Sequence, residues 1–212
     1  MKKLFASFLI LTLVSSVFLV GSAQEDPSSE IEIEETLEVQ EQEYSKARNS
    51  TELRQKIQER SQEMEQEILT VRDEAQNFYR NQSRVQLAAH SLLAAEDLLE
   101  GIGSDVSQIA TQLNNSVQVT IRAEERIHAR NQFMKFLIGG DEVAADEILQ
   151  ETIQNQLRIQ QIQQLLEDGQ CDEDVKIMLQ QQIQDMQQEQ IRLQQLAQEE
   201  KNNKGLFGWL WK

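Results

Sequence analysis

The chain has 212 residues, enough for a substantial core, and carries 36 acidic against 20 basic side chains for a net charge of −16. That balance argues against a nucleic-acid partner, whose binding draws on cations that neutralise phosphates, and it sets the bulk of the protein against anionic surfaces. Glycine is scarce, Pro27 is the only proline, and glutamine, glutamate and leucine recur throughout, so the expected class is all-α.

The first segment, MKKLFASFLILTLVSSVFLVGSAQED, opens on Lys2 and Lys3, runs apolar from Leu4 to Val20 and reaches small residues at Gly21 and Ala23. This is the layout of a secretory signal peptide over residues 1–23, with cleavage after Ala23. The apolar run also approaches the roughly 20 residues that span a bilayer, so an uncleaved N-terminal membrane anchor is the alternative. Either reading places the remainder outside the cytoplasm, secreted or held at the cell envelope. Residues 24–49 form an acidic flexible arm: acids are dense from Gln24 to Glu43, and no basic residue appears before Lys46. Asn-x-Ser/Thr triplets at Asn49, Asn81 and Asn114 suit N-glycosylation of an exported chain. Asn49 is the strongest of the three, since Asn114 lies in a charge-poor stretch.

Residues 50–200 carry the helical pattern. Ile57, Met64, Val71, Phe78, Val85, Leu92 and Leu99 recur every seventh position, which predicts one helix over about 50–100. Gly101 and Gly103 end it, and Ser104 is the expected N-cap of a second helix over 104–138. No lysine or arginine stands between Arg84 and Arg122, so the best-packed core is expected there. Gly139 and Gly140 break the second helix, and Asp141 caps a third over 141–168, with Thr152 and Asn155 as polar members of its seam. The turn EDGQCDED leads to a fourth helix over 173–200, bearing Leu179, Ile183, Met186, Gln190 and Leu193. Short connections imply antiparallel neighbours. The expected fold is therefore a set of long antiparallel helical hairpins in an elongated, coiled-coil-like four-helix bundle, the first helix projecting beyond its partners.

Chemical motifs are sparse. Glu125 and His128 have the Glu-x-x-His spacing of dimetal bundles, but the only other histidine, His90, has no glutamate three residues before it. Asp168, Asp172, Glu173 and Asp174 do not follow the order of a calcium loop, and N-capping by Asp172 or Asp174 is the better account. The lone Cys171 has no intramolecular partner, and a free thiol is expected. With no catalytic triad and no phosphate-cradling loop, the expectation is a non-enzymatic protein without cofactor or metal. The stretch SQIATQLNNSVQVTIRAEER has the cadence of the signalling hairpin of bacterial chemoreceptors, which we read as shared helical grammar.

Residues 201–212 form an aromatic, cationic tail. Leu206, Phe207, Trp209, Leu210 and Trp211 lie among Lys201, Lys204 and Lys212, and both tryptophans of the chain are here. Such a composition favours docking at a membrane interface or on another envelope protein. The export segment, LLAAEDLL, RAEERI, GGDEVAADEI, the CDED turn and the ending GLFGWLWK together resemble a group of uncharacterised secreted helical proteins of methanogenic archaea. The resemblance implies an archaeal envelope setting and no catalytic residue. The resulting expectation is an exported structural or interaction protein, with the tail as its docking element and a homo-oligomer as a further option. A binding protein that holds an apolar or cationic ligand between helices, in a cavity around Leu92 to Val117, is the alternative.

Overall fold

A computed structural model describes residues 45–207. The expected signal or anchor, the acidic arm up to residue 44, and Trp209, Leu210 and Trp211 lie outside the described residues. Residues 42–212 belong to one compact unit with its own core. Six helices dominate it: α1 (Ser50–Thr70), α2 (Asp73–Ala94), α3 (Gly103–Ala129), α4 (Gln132–Ile138), α5 (Glu142–Asp168) and α6 (Glu173–Asn202). A 3-10 turn at Glu96–Leu98 leads into the two-residue strand β1 (Leu99–Glu100), which pairs antiparallel with β2 (Gln170–Cys171). This small ladder ties the α2–α3 connection to the α5–α6 connection, and sequence periodicity gave no sign of it.

Caps explain several helix starts. The Oδ1 of Asn49 accepts the Glu52 N–H at 2.9 Å, and a carboxylate oxygen of Glu52 reaches back to the Arg48 N–H. Asn131 accepts from Met134, Asp141 from Ala144, and Asp172 from Asp174 and Val175, which opens α4, α5 and α6 respectively. Ser104 is not a cap: α3 begins at Gly103 and has no side-chain cap bond. Gly103 lies so close to the Glu96 carbonyl oxygen that a Cβ would sit 2.0 Å from it. Close packing on the 3-10 turn, and not a hydroxyl, sets that boundary.

Two of the four expected helices are divided. The helix expected over 50–100 stops at Thr70, and α1 and α2 fold back on each other about Val71 and Arg72. Arg60 donates to the Nδ1 of His90 and Arg80 pairs with Glu65, which fixes the antiparallel sense. The reason is burial. As one straight helix, residues 50–70 would leave Leu53, Met64 and Ile68 in water, whereas here all three are buried. The helix expected over 104–138 is divided at Arg130, whose backbone is extended, and restarts under the Asn131 cap as α4.

Helix α2 packs on α3 and α6, α3 on α5, and α5 on α6, with α1 laid against α2. The charge-poor region contributes Ala88, Ala89, Leu92, Val106, Ala110 and Leu113, all fully buried in the larger of two apolar clusters. The smaller cluster contains Ala123, Ile127, Ala144, Ala145, Ile148, Leu193 and Ala197. Polar side chains lie between the clusters along each helix: Thr152 and Asn155 on α5 separate Ile148 from Ile159, and Glu189 and Gln190 on α6 separate Met186 from Leu193.

Candidate docking surface

Helix α4 reads QFMKFLI, five apolar residues in seven, and it buries none of them. Phe133 is 67% exposed and Phe136 60%, with Met134 and Ile138 also exposed. Large apolar side chains standing together in water mark an interaction surface more often than a lone exposed leucine does. Beyond α6 the chain turns at Gly205 and runs beside this helix. The Leu206 N–H donates to the Phe136 carbonyl at 2.7 Å, and the Phe207 N–H to the Leu137 carbonyl at 2.9 Å. Both side chains remain substantially exposed, so two of the five expected docking residues lie beside a second apolar element.

The junction depends on close backbone approach. Gly139 and Gly205 both have positive φ, +91° and +62°, which glycine adopts without strain. A Cβ at Gly140 would sit 2.1 Å from the Glu200 carbonyl oxygen, and the Gly140 N–H donates to Asn203. Buried Glu200 holds the two segments together, accepting from the Asp141 N–H at 2.9 Å and the Lys135 ammonium at 3.0 Å. The Arg130 guanidinium donates to the carbonyls of Gly139 and Gly140. Gly140→Ala should therefore destabilise the protein by about 1–3 kcal/mol through overpacking at this junction. Chemical denaturation checks it; a midpoint equal to that of the unsubstituted protein would show that the α4–tail junction contributes nothing.

Charge is nearly balanced at this end. Among the described residues, 126–147 and 199–207 hold five lysines and arginines against six aspartates and glutamates, on a chain of net charge −16. Lys201 reaches Asp146 and Lys204 reaches Glu142, and the hydrogen bond to Asp146 raises the pKa of Lys201.

Sequence reasoning missed a buried ionic cluster between α2, α3 and α6. Glu124 is fully buried; it accepts two hydrogen bonds from Arg192, at 2.7 and 2.6 Å, and one from Gln82 at 2.9 Å. Arg192 also donates twice to buried Glu189, at 2.8 and 2.6 Å. Burial alone would push the Glu124 pKa up, but bonds from His128, Arg192 and Gln82 outweigh it and hold the carboxyl at about 2. Glu189 goes the other way, raised by its burial against the pull of Arg192. A signal existed for one of the two acids: Glu124 stands seven residues after Val117, which is buried. Burying a charged residue at such a position is costly without a partner, which only tertiary contacts reveal.

The remaining expected sites are dispersed. Glu125 accepts from the Tyr79 hydroxyl, while His128 stacks on Phe78 and approaches Glu124 at 3.6 Å. Among the described residues no group of three His, Cys, Asp or Glu side chains could hold a metal ion. Cys171 is a free thiol in β2, partly buried, and burial pushes its pKa up. Asn49 caps α1 through its Oδ1, a use compatible with a sugar on its Nδ2. Asn81 and Asn114 lie within helices α2 and α3, half-buried, and the Oδ1 of Asn114 is buried without a hydrogen bond. The seam from Leu92 to Val117, where a ligand cavity was the alternative, is filled by Leu92, Leu113 and Val117. A groove of about 390 Å³ lies instead between α1 and α2, lined among others by Lys56, Ile57, Arg60, Leu87 and His90.

No family model matches this chain, and neither a curated protein nor a solved structure does.

Proposed function

We propose that this is an exported, non-enzymatic structural or interaction protein of the cell envelope, with the C-terminal segment as its docking element. In this reading α2, α3, α5 and α6 form an up-down-up-down four-helix bundle with coiled-coil-like seams, and α1 braces it. The observation that carries the reading is the exposure of Leu206 and Phe207 at the surface, on a segment whose backbone is hydrogen-bonded in place. A tail that served only the core would bury those side chains. The filled seam between Leu92 and Val117 favours a spacer over a ligand carrier.

Truncation after Lys204 tests it. The shortened protein should melt within a few degrees of the full-length one, because the residues removed contribute no buried core side chain among those described, yet it should lose association with the envelope fraction of the cell. Retained association would overturn the assignment of the tail as docking element.

A second reading, capture of an apolar or cationic ligand, rests on the groove between α1 and α2, whose Glu59 and Glu63 face Lys56 and Arg60. It predicts a higher melting temperature in the presence of such compounds.

A further inference from the structure

We infer that α4 is the second half of the docking surface, and that the composite of α4 with Leu206 and Phe207 seats in the interfacial region of a lipid bilayer. The inference rests on reading the tail as a docking element and goes beyond it by adding an element and naming the partner. Three observations carry it.

The first is the distribution of apolar side chains on α4. At 100° per residue, Phe136, Phe133, Met134 and Ile138 are spread over about 200° of the helix on both sides of half-buried Leu137, and all four are exposed. A groove on a protein receives one stripe of a helix, typically at i, i+3, i+4 and i+7. An arc this wide suits a medium that surrounds the helix on several sides, as lipid headgroups and upper acyl chains do.

The second is continuity. The backbone of Leu206 and Phe207 is bonded to the carbonyls of Phe136 and Leu137, so the tail leaves Phe207 beside the apolar side chains of α4. The sequence continues from Phe207 as Gly-Trp-Leu-Trp-Lys. Tryptophan beside lysine is the composition of interfacial anchors. Among the described residues no helix is long and apolar enough to cross a membrane, and shallow insertion does not need one.

The third is charge. The body of the protein is acidic, but the five cations and six anions of residues 126–147 and 199–207 nearly cancel, so approach of this end to a headgroup layer carries little electrostatic cost. The near-neutrality predicts similar binding to zwitterionic and anionic bilayers.

The test uses residues 24–212, which contain the compact unit and omit the N-terminal apolar run, whose own lipid affinity would mask the tail. Sedimentation with vesicles of phosphatidylcholine, and of phosphatidylcholine with phosphatidylglycerol, is compared for three proteins: unsubstituted, truncated after Lys204, and Phe133→Ser/Phe136→Ser with the tail intact. Lipid binding by the unsubstituted protein should fall roughly tenfold or more in each variant. If truncation abolishes binding while the double substitution leaves it unchanged, α4 is not part of the contact and only the tail reading survives. If the unsubstituted protein sediments with neither vesicle, lipid is the wrong partner, and envelope association lost on truncation would then point to a protein. Hydrogen exchange of the unsubstituted protein gives a readout independent of any folding defect in the double variant. Vesicles should slow exchange over residues 133–138 as well as 205–212; protection confined to 205–212 overturns the role of α4.

Discussion

Arg192→Ala should cost about 3–5 kcal/mol of folding stability, the largest loss expected from a single substitution outside the apolar clusters. The reason is stoichiometric. One guanidinium serves two buried carboxylates, Glu124 and Glu189, with four hydrogen bonds between 2.6 and 2.8 Å. Removing it leaves Glu124 with Gln82 and His128 alone, and Glu189 with only the weaker charge of Arg84 to oppose its desolvation. A carboxylate so placed must take up a proton or admit water, and either disrupts packing between α3 and α6. The cluster itself need not be a net stabiliser: the triple variant Glu124→Gln/Glu189→Gln/Arg192→Met should recover much of the loss, because it leaves no buried charge. Urea denaturation of the single and triple variants at pH 7 measures both. A single variant within about 0.5 kcal/mol of the unsubstituted protein would mean that water, and not Arg192, satisfies the two acids.

Acidification from pH 7 to pH 4 should remove up to about 3 kcal/mol, through His90. This imidazole is 8% exposed; burial, and then the charge of Arg60, lower its pKa from 6.5 to about 4. A histidine whose folded pKa is depressed contributes stability in full above 6.5, and that contribution is lost as pH falls toward 4. The unfolded chain takes up the proton first. The charged groups around it are Arg60, which donates to its Nδ1, and Lys56, Glu59 and Glu63 along the same groove. Two further groups act with opposite signs and in different ranges. Glu124 is depressed to about 2, so its contribution disappears between 4.5 and 2; Glu189 is raised, so its protonation above 4.5 favours the folded state. Between 6.5 and 4.5 the loss through His90 is therefore opposed, among the described residues, only by the gain through Glu189. In His90→Gln, where an amide oxygen can still accept from Arg60, denaturation midpoints should no longer fall as the pH is lowered across that interval. An unchanged slope in the variant would assign the titration elsewhere.

Much of the burial pattern was legible along the chain. The sevenfold stripe from Ile57 to Leu99 identified side chains that are buried or packed against the core, and the charge-poor stretch supplies several fully buried residues of the larger cluster. Asp141 and Asp172 were readable as caps because capping is local, set by a side chain and an N–H two or three residues on. The stripe did not reveal that residues 50–94 form a hairpin. A two-residue turn at Val71 and Arg72, without glycine or proline, leaves the heptad phase intact, so a straight and a folded helix present the same apolar positions. Asn131 carried a faint sign of the break before α4, hidden because Ile127, Met134 and Ile138 keep helical spacing across it.

The candidate docking surface divides in the same way. Composition alone identified the tail as amphipathic and aromatic, since tryptophan, leucine and lysine so close together have few other uses. That the tail runs beside α4 was decided by tertiary structure. Gly139, Gly140 and Gly205 permit backbone contacts between segments more than 60 residues apart in sequence, and Glu200 and Arg130 satisfy the polar groups enclosed there. The Arg192 cluster is a parallel case: its three charges come from two helices 65 residues apart, and which of them pair is visible only once those helices are packed together. Class, stripe and caps depend on neighbours within a turn or two of helix, and the sequence by itself determined them. The hairpin, the composite apolar end and the buried charges depend on which distant backbones come close enough to exclude water, and only the tertiary structure decided those.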